Sequence, residues 1–408
     1  MEYTGRVSSP LLNGEATLCV EENGLALITP FEAHQIPYAD VNAFELRNYA
    51  VHIMTEAGTL TINGLGNACE PFYDELYAAY NNKVRKALFV KGRPLFKAKG
   101  EYRYVENGVT AKGSALIEVY GDCVLVLPQT TEARRVPLCF VKAVEKGPFE
   151  LTLRLNTGES YTLSKLGYDT APFEDTLAKQ LKILSKKALD HVKALDPSLG
   201  IAQASAIAKL MLEGVAARVG ELASIAPSFV RELEKMVKES RSAESYAVLK
   251  TLCAPDQIYV GILRRFGQHG GTDTANEEAD DEVEPAPDEN GEETNMVWMI
   301  APGGRGGVAA VEFAVAEDES AATFIYRFQG DFDAFSRAFN RALEAIAFKR
   351  EVIRLKDDEL KRPEYADYAM AIKRNAALRF VRSCFAGRVI HSSPERWKQG
   401  MIAHLGKE

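Results

Sequence analysis

The side chains in this chain that could do chemistry are scattered rather than assembled. The six histidines (His34, His52, His191, His269, His391, His404) show no i,i+4 pairing and have no cysteine or carboxylate at the spacing that would bring two ligands to one ion. The six cysteines (Cys19, Cys69, Cys123, Cys139, Cys253, Cys384) never form Cys-x-x-Cys. Cys19, Cys123 and Cys139 sit among apolar strand formers, the pattern of small buried hydrophobes in a reducing cytosol. Glycines at 303, 304, 306 and 307 offer the backbone of a phosphate cradle, but such a loop must pass from strand into helix so that the helix N-terminus faces the anion. Residues 308–314 read as a strand, so the glycines are expected to form a hairpin turn. No Gly-x-Ser-x-Gly elbow is present, and Asp357-Asp358 adjoins helix cations as ordinary surface charge. These residues point to no catalytic constellation, metal or cofactor, and the expectation is a protein that is not an enzyme.

Charge is more informative. Ten Asp or Glu lie between Glu277 and Glu293, among them Glu278, Asp280, Asp281 and Glu282, and without them the formal net charge of -8 becomes about +2. Residues 267–295 carry no helix or strand period and have the composition of a disordered loop. Entropy hardly opposes such an insertion, since doubling a loop costs only about 0.6 kcal/mol. Residues 373–398 are the counterpart: seven Lys or Arg, including Lys373, Arg374, Arg379, Arg382 and Arg388, against the single acid Glu395. Tyr365, Tyr368, Ile372, Ala376, Phe380 and Cys384 fall three or four apart, which predicts one helix with a basic face. A solvated face, or an internal partner for the acidic loop, is favoured there over a nucleic-acid or membrane footprint.

The elements that must position these groups are read from a repeat. Gln35-Ile36-Pro37 through Thr61-Ile62 to Leu65-Gly66 and Pro71-Phe72 returns about a hundred residues later as Arg135-Val136-Pro137 through Thr162-Leu163 to Leu166-Gly167 and Pro172-Phe173. Each copy reads as short strands with hairpin turns, at Asn23-Gly24 and Gly58 in the first and Gly121-Asp122 and Gly158 in the second, followed by one helix. Phe72, Leu76, Tyr80 and Val84 make an apolar stripe, and Phe173, Leu177 and Leu181 repeat it. Residues 14–88 and 113–189 should therefore share one fold, with 91–99 as a short basic linker. From 196 the period is helical, over 201–212, 227–239 and 242–252, with Ser198, Ser228 and Ser242 as caps. Strand-like runs return at 257–263, 296–300, 308–314 and 321–328, followed by a helix with Phe335, Phe339 and Leu343 in the stripe positions. This predicts a third, degenerate copy in which 257–263 pairs with 296–300 or 321–328.

About seven antiparallel strands closed by a C-terminal helix resemble the pleckstrin-homology-like superfold. Ile36-Pro37-Tyr38-Ala39-Asp40-Val41 is similar to the Ile-Pro-Tyr-x-Asp-Ile run of bacterial PH-like and GRAM-like domains, whereas the second copy has Val136-Pro137-Leu138 and Phe140 where Asp40 would stand. The resemblance covers residues 1 to about 190 and implies an α+β chain of tandem PH-like units. It divides as PH-like domains at 1–90 and 91–195, a helical spacer at 196–252, a degenerate third unit at 253–348 with the acidic insertion at 267–295, and a basic helical C-terminal region at 349–408.

Lipid-binding members of that superfold hold phosphoinositides with Lys and Arg around the first hairpin loop. Taken as 21–24 and 120–122, those loops lack a cation, so phosphoinositide binding is disfavoured. The expected function is a non-enzymatic protein-interaction scaffold with a protein partner. Behind it stand a histone-chaperone-like or nucleic-acid-associated role for the acidic loop and basic C-terminal helix, on a layout similar to FACT-type chaperones, and then a membrane-surface adaptor. No run approaches the roughly 20 apolar residues that span a bilayer, and residues 1–10 lack a signal-peptide pattern, so a cytoplasmic protein is expected, and the PH-like resemblance implies a bacterial one.

Overall fold

The computed structural model describes residues 2–106, 108–128, 130, 132–239, 243–266, 293–304, 306–314, 322–391 and 393–405. The chain forms two compact units: Met1–Leu177 with Ala345–Ala376, and Ala178–Glu344 with Ala377–Glu408.

The first unit opens with β1 (Glu2–Ser8), β2 (Asn13–Val20), β3 (Gly24–Ile28), β4 (Ala33–Pro37), β5 (Val41–Arg47), β6 (Ala50–Thr55) and β7 (Gly58–Asn63), then helix α1 (Cys69–Ala87). A second run follows: β8 (Phe96–Glu106), β9 (Val109–Val119), β10 (Cys123–Pro128), β11 (Arg134–Pro137), β12 (Val141–Gly147), β13 (Glu150–Leu155) and β14 (Ser160–Ser164), then helix α2 (Thr170–Leu195). The two antiparallel sheets have the same order, β4-β3-β2-β1-β7-β6-β5 and β11-β10-β9-β8-β14-β13-β12. The match extends to detail. Pro37 and Pro137 each lead into a single 3-10 turn, Tyr38–Asp40 and Leu138–Phe140. The turn is anchored by Tyr38 N to Asn23 O (3.0 Å) in one copy and Leu138 N to Asp122 O (2.8 Å) in the other. Register shifts fall between Val41 and Ala43 and between Val141 and Ala143. The predicted repeat is therefore a repeat of topology.

Two strands escaped the sequence reading. Each sheet begins a strand earlier than expected, with β1 and with β8, and β8 starts inside the supposed basic linker. Lys97, Lys99 and Arg103 alternate with Ala98, Tyr102 and Tyr104, and only the second set is buried. The cations on one face hid a period-two strand.

The helices plug the sheets as their stripes require. Phe72, Leu76, Tyr80 and Val84 are buried against Leu18, Leu27, Val51 and Ile62. Phe173 and Leu177 are buried in the second copy, while Leu181, in the position of Tyr80, is only half-buried. Leu116, Leu125 and Leu127 from the second sheet join the core of the first. Beneath that contact, Arg85 of α1 donates from Nε and Nη2 to the two oxygens of Glu118, both at 2.9 Å.

The second unit contains α3 (Ile201–Leu210), β15 (Ala217–Arg218), α4 (Val219–Ile225), α5 (Pro227–Glu239) and α6 (Ala243–Leu252). There follow β16 (Tyr259–Phe266), β17 (Glu293–Pro302), β18 (Val308–Ala314), β19 (Ala322–Arg327) and α7 (Phe332–Ala345). Ser198 is not a helix cap: its amide and hydroxyl both bond Asp196 Oδ1, and Gly200 precedes α3. Ser228 lies inside α5, and Ser242 is outside the described residues. The chain then returns to the first unit through α8 (Glu351–Arg354) and α9 (Ala366–Arg374), and goes back to the second through α10 (Ala376–Cys384), β20 (Phe385–Ile390) and α11 (Pro394–Leu405).

β16 pairs with β17 as the sequence predicts, Leu263 opposite Met296. The expected third copy is nonetheless a different fold. Its sheet runs β15-β16-β17-β18-β19-β20 in plain chain order, and its two edge strands come from the supposed spacer and the supposed helical C-terminus. Helices cover both faces. Val297, Met299 and Ala301 face a core shared with α3 to α6 and α11, while Trp298 stands next to Phe339 of α7. Gly261, directly opposite Trp298, is required there, because a Cβ would lie 2.3 Å from the indole nitrogen.

Candidate interaction sites

Of the charged residues singled out in the sequence, Glu277, Glu278, Asp280, Asp281 and Glu282 lie outside the described residues. The basic segment does not form one helical face. α9 ends at Arg374, Asn375 is extended at φ -131° and ψ 109°, and α10 begins at Ala376. The first two cations are used within the first unit: Arg374 is buried and donates to the Tyr80 hydroxyl (2.6 Å), and Lys373 donates to Ala39 O (2.9 Å). Arg379 and Arg382 belong to α10, and Arg388 is an exposed residue of β20, not of a helix. A buried asparagine at the break ends the helix that the apolar spacing alone would continue.

The glycines at 303–307 connect β17 to β18, closed by Gly303 N to Val308 O at 2.8 Å, so the hairpin-turn expectation holds. The first hairpin loop of each sheet lies elsewhere than the sequence suggests. Residues 21–24 and 120–122 join the second and third strands of each sheet, whereas the first hairpins are β1–β2 and β8–β9.

Unit two carries a buried polar centre that no spacing in the sequence foretold. Glu312 of β18 accepts a hydrogen bond from Thr323 Oγ1 of β19 and lies 3.2 Å from His391 Nε2 and 3.4 Å from Ser245 Oγ. Trp397 Nε1 donates to the same threonine oxygen at 2.9 Å, and its ring lies 4.9 Å from that of His391. The carboxylate oxygens are engaged by groups from three other segments, an arrangement that ties strands to α6 and α11. Among the described residues, no group of three or more His, Cys, Asp or Glu is placed to hold a metal ion. A small apolar cavity between the first sheet and α1, lined by Leu25, Phe44, Ile53 and Leu76, has room for no more than a water-sized molecule.

Two aromatic residues stand out instead. Arg47 pairs with Ala50, so Asn48 and Tyr49 make a two-residue hairpin loop with φ of 53° and 57°. Positive φ at both positions is the backbone such loops prefer, normally supplied by Asn-Gly. In the second sheet Gly147 pairs with Glu150, and Pro148 is followed by Phe149 at φ 62°. A proline and then a left-handed residue is the sequence of a type II turn, whose second position ordinarily takes Gly. Tyr49 is 81% exposed and Phe149 87%. A side chain in this backbone region costs about 1–2 kcal/mol, and neither ring recovers that by burial. The sequence did hold a signal, since Pro-Phe at the apex of a hairpin violates turn chemistry.

The chain matches no protein-family model, and no curated protein matches it. Among the described residues, no helix is long and apolar enough to cross a membrane.

Proposed function

We propose that this protein is a non-enzymatic protein-interaction scaffold whose first two sheet-plus-helix repeats are pleckstrin-homology-like modules. The observation that carries this reading is the pair Tyr49 and Phe149: equivalent turns of the two sheets, built from different sequences, each hold an exposed aromatic ring in a strained backbone. Strain that folding does not use is retained where it serves binding, and aromatic rings are the side chains that most often anchor protein interfaces.

The test replaces Tyr49 and Phe149 with a photo-crosslinking amino acid, one at a time, in the native host. One protein crosslinked at both positions in stoichiometric yield is the expected result. Adducts to lipid alone, or none at either position, would overturn the reading. Tyr49→Gly and Phe149→Gly should abolish the interaction and raise stability by about 1 kcal/mol each, because glycine takes positive φ without strain.

A further inference from the structure

The outer face of the second sheet is divided. Towards β10 it is covered, since Leu116, Leu125 and Leu127 pack into the first core. Across β8, β14 and β13 its rows can be read from the register, with Thr162 of β14 buried and the β8 and β9 cations exposed. One row runs Lys112, Arg103, Thr162, Thr152, and the next Ser114, Glu101, Ser164, Glu150. Arg103 and Lys112 stand directly opposite each other on adjacent strands, both exposed. Like charges in that position destabilise a sheet pair. Lys99 lies four residues before Arg103 on the same face, also exposed. Neighbouring cations are matched: Lys97 with Glu118 at 3.1 Å and Lys165 with Glu101 at 2.7 Å. Among the described residues, Lys99, Arg103 and Lys112 have no such ion pair.

We infer that Lys99, Arg103 and Lys112 form a docking strip for an extended acidic segment of a protein partner. The inference rests on the scaffold reading and names the chemistry of one partner. Positions four apart on a strand are separated by about 13 Å at roughly 3.3 Å per residue. An extended peptide laid along β8 presents carboxylates at the same interval, so two acids four residues apart meet Lys99 and Arg103, with Lys112 beside the second. Single-stranded nucleic acid is disfavoured because the aromatic residues of β8, Phe96, Tyr102 and Tyr104, all fall on the face opposite Lys99 and Arg103, away from where bases would stack. A peptide laid along β8 crosses one acid, Glu101, whose charge Lys165 already matches at 2.7 Å, whereas a flat anionic bilayer would also cover the exposed Glu150.

The experiment titrates the full-length chain into a fluorescent peptide of alternating Glu and Ser, reading anisotropy at low and physiological salt. The same titration is run on a chain in which residues 267–292 are replaced by Asn-Gly, which removes the protein's own acidic stretch as a competitor. Arg103→Glu with Lys112→Glu should weaken binding at least tenfold, and Lys182→Glu with Lys186→Glu, the same charge change on the exposed side of α2, should weaken it less than twofold. Arg103→Gln with Lys112→Gln serves if the reversal fails to fold. Equal peptide affinity for the wild-type and neutralised proteins overturns the inference. So does tighter binding to single-stranded DNA of equal charge, or to vesicles containing phosphatidylserine or a phosphoinositide, when that binding is lost in the same variants. The crosslinks at Tyr49 and Phe149 do not depend on these cations, so failure here leaves the scaffold reading standing.

Discussion

Arg374 donates to the hydroxyl of Tyr80 at 2.6 Å, joining residues 294 positions apart inside the first unit. Its guanidinium also lies 5.9 Å from the centre of the Tyr80 ring, and one turn earlier Met370 is fully buried in the same core. Lys83 of α1 meets Asp367 of α9 at 2.6 Å. The late segment carrying α9 thus completes a core whose strands and first helix were made some 280 residues before.

Arg374→Ala should destabilise the protein by about 1.5–3 kcal/mol, as expected for a buried hydrogen bond to a charged group. Tyr80→Phe removes the same bond from the other side. In a denaturant double-mutant cycle the two should be strongly non-additive, and additive losses would show that the pair is not coupled.

Glu118 supplies a pH dependence. Burial pushes its carboxyl up, but the hydrogen bonds and charge of Arg85 outweigh burial and hold it below its ordinary value. The unfolded chain regains a carboxyl near about 4.3, so in acid the unfolded state binds the extra proton. The contribution is complete above the ordinary carboxylate range and is lost as pH falls through the lower folded value. Glu118→Gln should destabilise the protein at neutral pH by leaving the half-buried Arg85 without its charged partner. Its stability should also fall less steeply in acid than that of the wild type, measured by urea melts at stepped pH.

Phe72 and Phe173 open the two plug helices, and both are fully buried. Truncation of either to Ala should cost about 3–5 kcal/mol. Calorimetry that finds Phe173→Ala as stable as the wild type would contradict the plug role of α2.

Phe266 and Glu293 are direct partners at the end of the β16–β17 pair. Two residues suffice to join such ends. Replacing 267–292 by Asn-Gly should therefore leave the circular dichroism and melting temperature within a few degrees of the wild type, and expression only as aggregate would refute this.

Local pattern determined much of this protein. Hairpin turns, strand periods and the Phe72 and Phe173 stripes are written within windows of a few residues, and they produced the repeat, the sheet-plus-helix order and the pairing of β16 with β17. What failed was whatever depends on a partner far along the chain. Lys97 and Lys99 looked like a linker because the face they leave to solvent is known only once β8 lies between β9 and β14. Phe385–Ile390 fell in the C-terminal region read as helical but is a strand, because the open edge of β19 offers its backbone hydrogen bonds there. The Glu312 centre draws on Ser245, Thr323, His391 and Trp397, which no window contains together. Tertiary structure decided these because an edge strand's bonds and a buried carboxylate's partners are satisfied in space, without regard to separation along the chain.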